Sequence, residues 1–141
     1  MPYLVVDTCV LEKAQNSDFS ALEILAKVGR DCKYKIVCDY EEEILSEYRK
    51  HLHSNLFEKM ISIMIFKGKI VKKAKADIRL KAFDPADLKF VQMAASLPKC
   101  YIITMNSNYN KIKELQQKDS RLRNIKVLTP EEAIDIFEHS Y

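Results

Sequence analysis

Three segments of the chain place carboxylates where they could act together. In LVVDTCVL, residues 4–11, Asp7 ends an apolar run of β-strand composition. There it is either a turn residue closing the strand or one member of an acidic cluster gathered from distant segments. In DYEEEILSEYRKHL, residues 39–52, Ile44, Leu45, Tyr48 and Leu52 form an apolar stripe at helical spacing, with Glu47 at its margin and Glu43 one turn earlier. Like charges at that spacing repel, and a cation would relieve them. An acidic first turn is also what the helix dipole favours, with Lys50 at hand to balance Glu47. In FDPADLKFVQMAASL, residues 83–97, Asp84 reads as an N-cap, Pro85 as the first helical residue, and Phe83 with Leu88 as a hydrophobic staple. Asp87 is less fully explained, because a capping box prefers Glu or Gln at its position and an Asp is free to point outward. TPEE, residues 129–132, is by contrast a complete capping box with no catalytic part.

Those acids meet only if the elements that carry them converge. Short apolar runs rich in Val and Ile predict strands near residues 3–6, 35–38, 100–105 and 125–128, with the look of strands buried on both faces. Helical patterns lie between them, over about 19–28, 40–52, 55–66, 85–97 and 108–119, and a last one over 130–138. This alternation implies a parallel sheet covered by helices on both sides. Such a sheet aligns the C-terminal ends of its strands along one edge, and ligands bind where the strand order reverses. Asp7 leaves one central strand there, and Thr104, Asn106 and Asn108 leave YIITM, the other.

Composition narrows the chemistry further. The 141 residues suit a single domain over 1–141, and 48% hydrophobic with 30% charged residues is the balance of a folded chain. Four cysteines, Cys9, Cys32, Cys38 and Cys100, show no metal or redox spacing and read as reduced core residues in the cytoplasm. The longest apolar run, residues 60–66, is too short to span a bilayer, so no membrane partner is expected. With only Gly29 and Gly68, no glycine-rich phosphate loop is present. His51 and His53 are two apart and cannot share a helix face, His139 stands alone, and Cys9 has no neighbouring His to make it a nucleophile. Net charge is +3, yet Lys67, Lys69, Lys72, Lys73, Lys75, Arg79 and Lys81 crowd one stretch against the lone acid Asp77. Such a stretch is either a solvated lysine-rich segment or the footprint of a polyanion, with Lys72, Lys73 and Lys75 placed to follow an RNA backbone.

The order of elements and the acids upon them resemble a PIN domain, the compact metal-dependent nuclease fold of toxins in toxin–antitoxin pairs, free-standing archaeal proteins and RNA-processing factors. Asp7 in VVDTCVL matches the family's strand-end Asp, Glu47 in EEILSEYRKHL its helix Glu, and Asp87 in DPADLKFVQMA its third acid. YIITMNSN lies where members often carry a strand, a Thr and an acid. Thr104 matches, but Asn106 stands where that Asp is expected, and Asn108 where a further acid can occur. The resemblance spans nearly the whole chain and is least marked over residues 67–81.

It implies a PIN-like three-layer α/β/α fold with a central, mostly parallel sheet of four to five strands. It also implies a divalent-metal-dependent endoribonuclease, in which Asp7, Glu47 and Asp87 are catalytic and hold Mg2+ or Mn2+. Thr104, Asn106 and Asn108 would then support metal, water or phosphate by hydrogen bonds. An amide at Asn106 adds no charge, so such a site holds one cation better than two. RNA is the expected partner, and the resemblance adds an antitoxin protein and a second copy of the chain as candidates. The competing expectation is a catalytically degenerate PIN fold that serves as an RNA-binding or protein-binding module. A phosphoacceptor receiver would need paired acids at the first strand end and a later Lys, and lacks both.

Overall fold

A computed structural model describes residues 3–30 and 33–138. Five strands make one sheet: β1 (Tyr3–Val6), β2 (Lys35–Asp39), β3 (Ile70–Lys73), β4 (Cys100–Ile103) and β5 (Ile125–Leu128). Their order is β3-β2-β1-β4-β5, and every neighbouring pair is parallel. Among the described residues seven α-helices flank the sheet: α1 (Thr8–Gln15), α2 (Phe19–Arg30), α3 (Glu43–His51), α4 (Asn55–Phe66), α5 (Pro85–Ala95), α6 (Lys111–Leu115) and α7 (Pro130–Glu138). The result is the three-layer α/β/α arrangement that the alternation of strand and helix patterns predicts.

The sheet is parallel because its strands are apolar on both faces. Leu4, Val5, Val6, Ile36, Val37, Cys38, Cys100, Ile102 and Ile103 are all buried, which only helices on both sides can achieve. β1 lies at the centre between β2 and β4. The chain fills one side of it with β2 and β3, then crosses back to lay β4 and β5 on the other. The strand order therefore reverses between β1 and β4, where Tyr3 pairs with Cys100 and Val6 with Ile103.

Local chemistry sets the helix starts. Asp84 accepts the Asp87 N–H at 3.0 Å with Pro85 beginning α5, as the sequence predicts. The capping box at α7 is reciprocal: Thr129 Oγ1 accepts from Glu132 N–H at 3.2 Å, and Glu132 Oε1 accepts from Thr129 N–H at 3.0 Å.

Three elements differ from the sequence expectation. β3 lies inside the lysine-rich stretch, where its run IVKK has only two apolar residues because it is an edge strand with one neighbour. α1 begins directly after Asp7, with Thr8, Val10, Leu11 and Ala14 turned inward. The helix expected over 108–119 is a 3-10 turn, Ser107–Asn110, followed by the short α6, since Asn106 caps at its start. Cys38 and Cys100 are buried free thiols, pushed by burial up to about 12. Cys32 and His139 lie outside the described residues. Among the described residues no helix is long and apolar enough to cross a membrane.

Two caps should be separable from everything else. Asp84→Ala and Thr129→Ala should each cost on the order of 1 kcal/mol in urea unfolding, with unchanged slope and circular dichroism. Equal stability of either variant with the parent would show that the capping bond contributes nothing there.

Candidate functional site

Asp7 stands at the N-cap position of α1 with extended backbone angles, yet its side chain makes no capping bond. Instead Asp7 Oδ2 accepts the Thr104 hydroxyl at 2.7 Å and the Cys9 thiol at 3.1 Å. Thr104 Oγ1 in turn accepts from Asn106 N–H at 3.0 Å. The pairing of β1 with β4 carries on past Val6 through Asp7 N–H to Ile103 C=O at 2.9 Å, which brings the two strand exits side by side. Behind them, the buried Tyr48 hydroxyl donates to the carbonyl of Val6 and fixes the peptide from which Asp7 projects. Asp7 is 5% exposed, so its charge is largely withdrawn from water but met by neutral donors. Burial first, and the Asp7 charge second, push the Cys9 thiol up to about 11, which keeps it a neutral donor.

Asp87 approaches from the first turn of α5. Its Oδ1 accepts the Tyr109 hydroxyl at 3.3 Å. Burial pushes the Asp87 carboxyl above its usual range, and the charges of Asp84, Asp7 and Glu47 add to that, while the Tyr109 hydrogen bond opposes it. The buried Tyr109 phenol is itself raised by burial and then by Asp7 and Asp87. Tyr109 is therefore coupled to both acids, to Asp87 by a hydrogen bond and to Asp7 by its charge. It is held there by the 3-10 turn that Asn106 caps, with Asn106 Oδ1 accepting from Asn108 N–H at 3.0 Å. The Asn106 amide is thus engaged in the turn, and the part of Asn108 is its backbone N–H, with an exposed side chain.

Glu47 faces a different set of partners. Its Oε2 takes Lys89 Nζ of α5 at 3.2 Å, and its Oε1 lies 3.2 Å from His51 Nε2. Burial raises this carboxyl, but the Lys89 and His51 contacts outweigh burial and hold it below the ordinary range. His51 Nδ1 also meets Glu12 Oε1 of α1 at 2.7 Å. A chain of side-chain contacts, Glu12 to His51 to Glu47 to Lys89, thereby ties α1, α3 and α5 together.

Glu43, one turn earlier, belongs to a structural cluster around Asp39. Asp39 is fully buried at the end of β2 and accepts from Glu43 N–H at 3.1 Å and Ile44 N–H at 2.9 Å, capping the start of α3. Lys75 Nζ is 3.7 Å from Asp39 Oδ2 and also pairs with Glu43. This cap holds the turn before α3, in which Glu42 takes a left-handed φ of 62°. Asp39 carries the same sequence signal as Asp7, IVCD beside LVVD: an apolar run closed by an acid. Two further lysines of the basic stretch are also engaged. Lys72 Nζ is 2.9 Å from Glu42 Oε1, and Lys73 Nζ lies 5.5 Å from the centre of the Tyr3 ring. Tyr48, Tyr109, His51 and Lys89 complete the site, and only their position beside the three acids in the folded chain gives them that role.

Asp7 and Asp87 offer the hard oxygen donors that Mg2+ or Mn2+ would take. Beside Asp7, Thr8 Oγ1 is the one buried side-chain oxygen or nitrogen among the described residues with no hydrogen-bond partner, a place for a water or ligand oxygen. The repulsion felt by Asp87 is what a cation would relieve. Glu47 would join them by exchanging Lys89. Among the described residues no three acidic, histidine or cysteine side chains already stand close enough to hold an ion. No protein-family model, no curated protein and no solved structure matches the chain.

Asp39 generates a pH-dependent expectation. Burial raises its carboxyl, but the Ile44 and Glu43 N–H groups and the Lys75 charge outweigh burial and hold it below the usual carboxylate range. A depressed group stabilises the fold above its unfolded pKa and loses that contribution as pH falls through its folded pKa. Asp39→Asn should cost about 1–3 kcal/mol at pH 7, and the gap from the parent should narrow as pH falls below about 4. Urea unfolding at pH 7 and pH 3 checks this, and a gap that widens on acidification would refute the assignment.

Proposed function

We propose that the chain is a divalent-metal-dependent endoribonuclease of the PIN type, with Asp7 and Asp87 as its principal carboxylates and Glu47 as the third. The observation that carries this reading is Asp7 itself. It occupies a helix N-cap position without capping, and its charge, after burial and Asp84, is among those that raise the Asp87 carboxyl. Asp7 and Asp87 would hold the cation, Mg2+ or Mn2+, which when bound supplies an acidified water and charge stabilisation on a phosphoryl oxygen. Thr104 and Cys9 orient the Asp7 carboxylate, and Tyr109 orients that of Asp87. Lys72 and Lys73 are exposed at the sheet edge and would meet an RNA backbone, Lys72 by exchanging Glu42, whereas the less exposed Lys75 head is committed to Asp39 and Glu43. Free thiols in the core support a reducing, cytoplasmic setting. A role as the toxin of a toxin–antitoxin pair, with an antitoxin and a second copy of the chain as partners, extends the same reading.

One observation favours a second reading. Glu47 already has both oxygens engaged, and the Asn106 amide serves its own turn, as in a chain whose acidic site has become a structural one. Such a chain would bind RNA or a protein without needing metal.

Cleavage of a fluorescent RNA with Mn2+, with Mg2+ and with chelator separates the two. Under the nuclease reading, Asp7→Asn or Asp87→Asn should lower the metal-dependent rate by about 100-fold or more. Asp87→Asn should at the same time be at least as stable as the parent at pH 7 without metal, because it removes a carboxylate whose folded pKa is raised. RNA binding that is indifferent to metal, without cleavage, would establish the module instead.

Lys89 gives a separate expectation. If its ammonium competes with a cation for Glu47, Lys89→Gln should tighten Mn2+ binding by roughly threefold to tenfold in calorimetric titration, a competition of about 1 kcal/mol. Unchanged affinity would mean that Glu47 does not join the cation.

A further inference from the structure

The outer margin of β5 is only partly covered. Cys100 N–H donates to Asn124 C=O at 3.2 Å and Thr104 N–H to Leu128 C=O at 3.0 Å, so the even-numbered residues of this strand face β4. Ile125 and Val127 therefore turn their backbone groups outward. Gln116, at the end of α6, answers the first of them: its Nε2 donates to Ile125 C=O at 2.6 Å and to Leu122 C=O at 2.9 Å. The next outward pair, the N–H and C=O of Val127, has no hydrogen-bond partner among the described residues.

Val127 lines a cavity of about 260 Å³, together with Tyr109, Lys113, Gln116, Lys126 and Glu132. Sites for drug-sized ligands start at about 300 Å³, so this one suits a smaller molecule or one residue of a larger one. Lys113 and Lys126 are exposed and make no ion pair among the described residues. Glu132, the acid of the lining, spends its Oε1 on the Thr129 N–H in the cap of α7. A rigid donor and acceptor thus share one cavity with two cations.

We propose that this cavity binds a nucleotide, its base on the Val127 N–H and C=O and its phosphate on Lys113 and Lys126. The polar edge of a nucleobase sets a hydrogen-bond donor beside an acceptor, which is the complement of that backbone pair. The two ammonium groups meet the phosphate as point charges. A polypeptide strand laid along β5 is the poorer occupant, because it needs a run of open amides and Gln116 already covers Ile125. The site uses none of the three acids and no metal, so it stands or falls apart from the nuclease reading.

The probe is 5′-AMP, with adenosine and ribose 5-phosphate as its two halves, titrated in chelator by calorimetry and by backbone amide NMR. AMP should bind at least about tenfold more tightly than either half, and the Val127 amide should shift with AMP and adenosine. Val127→Pro removes the outward N–H at a place where an edge strand tolerates proline, and should weaken AMP about fivefold or more. Lys113→Ala combined with Lys126→Ala, which leaves the strand untouched, should weaken AMP about tenfold and leave adenosine unchanged. A short RNA added in chelator distinguishes the sources: competition with AMP assigns the site to a nucleotide of an RNA strand, and its absence to a free nucleotide. Ribose 5-phosphate binding as tightly as AMP, an unmoved Val127 amide, parent-like AMP affinity in the double lysine variant, or no saturable binding would each overturn the proposal.

Discussion

The parallel pairing of β1 with β4, closed by the Thr104 hydroxyl on the Asp7 carboxylate, is the constraint on which the rest of the site depends. Both strands are buried on both faces, so a slip of one residue would misplace every side chain they carry. With Val6 held opposite Ile103, the chain beyond each strand must place Asp7 and Thr104 together. The Tyr48 hydroxyl on Val6 C=O and the Asn106 N–H on Thr104 Oγ1 brace the two sides of that junction. From there the dependence runs outward: Asn106 caps the turn that carries Tyr109, and Tyr109 reaches Asp87.

The two strand-end acids show how one sequence signal can have two outcomes. Asp39 is answered by two backbone N–H groups and a lysine, a full complement for a buried charge. Asp7 is answered by a hydroxyl and a thiol, which satisfy hydrogen bonding but leave the charge in place. A carboxylate of the first kind holds a fold together, and one of the second kind is hydrogen-bonded without a paired cation. Glu47 lies between these cases, with Lys89 and His51 as partners that can be exchanged because both lie at the protein surface margin.

Much of the sheet was legible because strands buried on both faces are nearly continuous apolar runs. The starts of α5 and α7 were legible because their caps are complete within four residues of sequence. β3 was not, since an edge strand needs few apolar residues and IVKK looks like part of a basic loop. Nor was α1, whose first turn follows a strand without any break in the apolar pattern. A role for Asp87 with the other acids could be anticipated from its poor fit as a capping residue, but its contact with Tyr109, 22 residues on, depends on a turn remote along the chain. The lysines 72, 73 and 75 form a basic run in sequence, and the folded chain divides them among Glu42, the Tyr3 ring and the Asp39 cluster. Proximity in sequence overstated their common purpose, because an extended backbone sends neighbouring side chains to opposite faces.

An open five-stranded sheet has two free margins, and here both carry lysine. Lys72 and Lys73 are exposed on β3, and Lys126 is exposed on β5. A margin of unpaired backbone is a template on which another chain can add a strand, and charge at that margin makes such addition unfavourable. The same lysines that suit a polyanion thus act as gatekeepers against aggregation, for a protein whose short, strongly apolar strands would otherwise stack readily edge to edge.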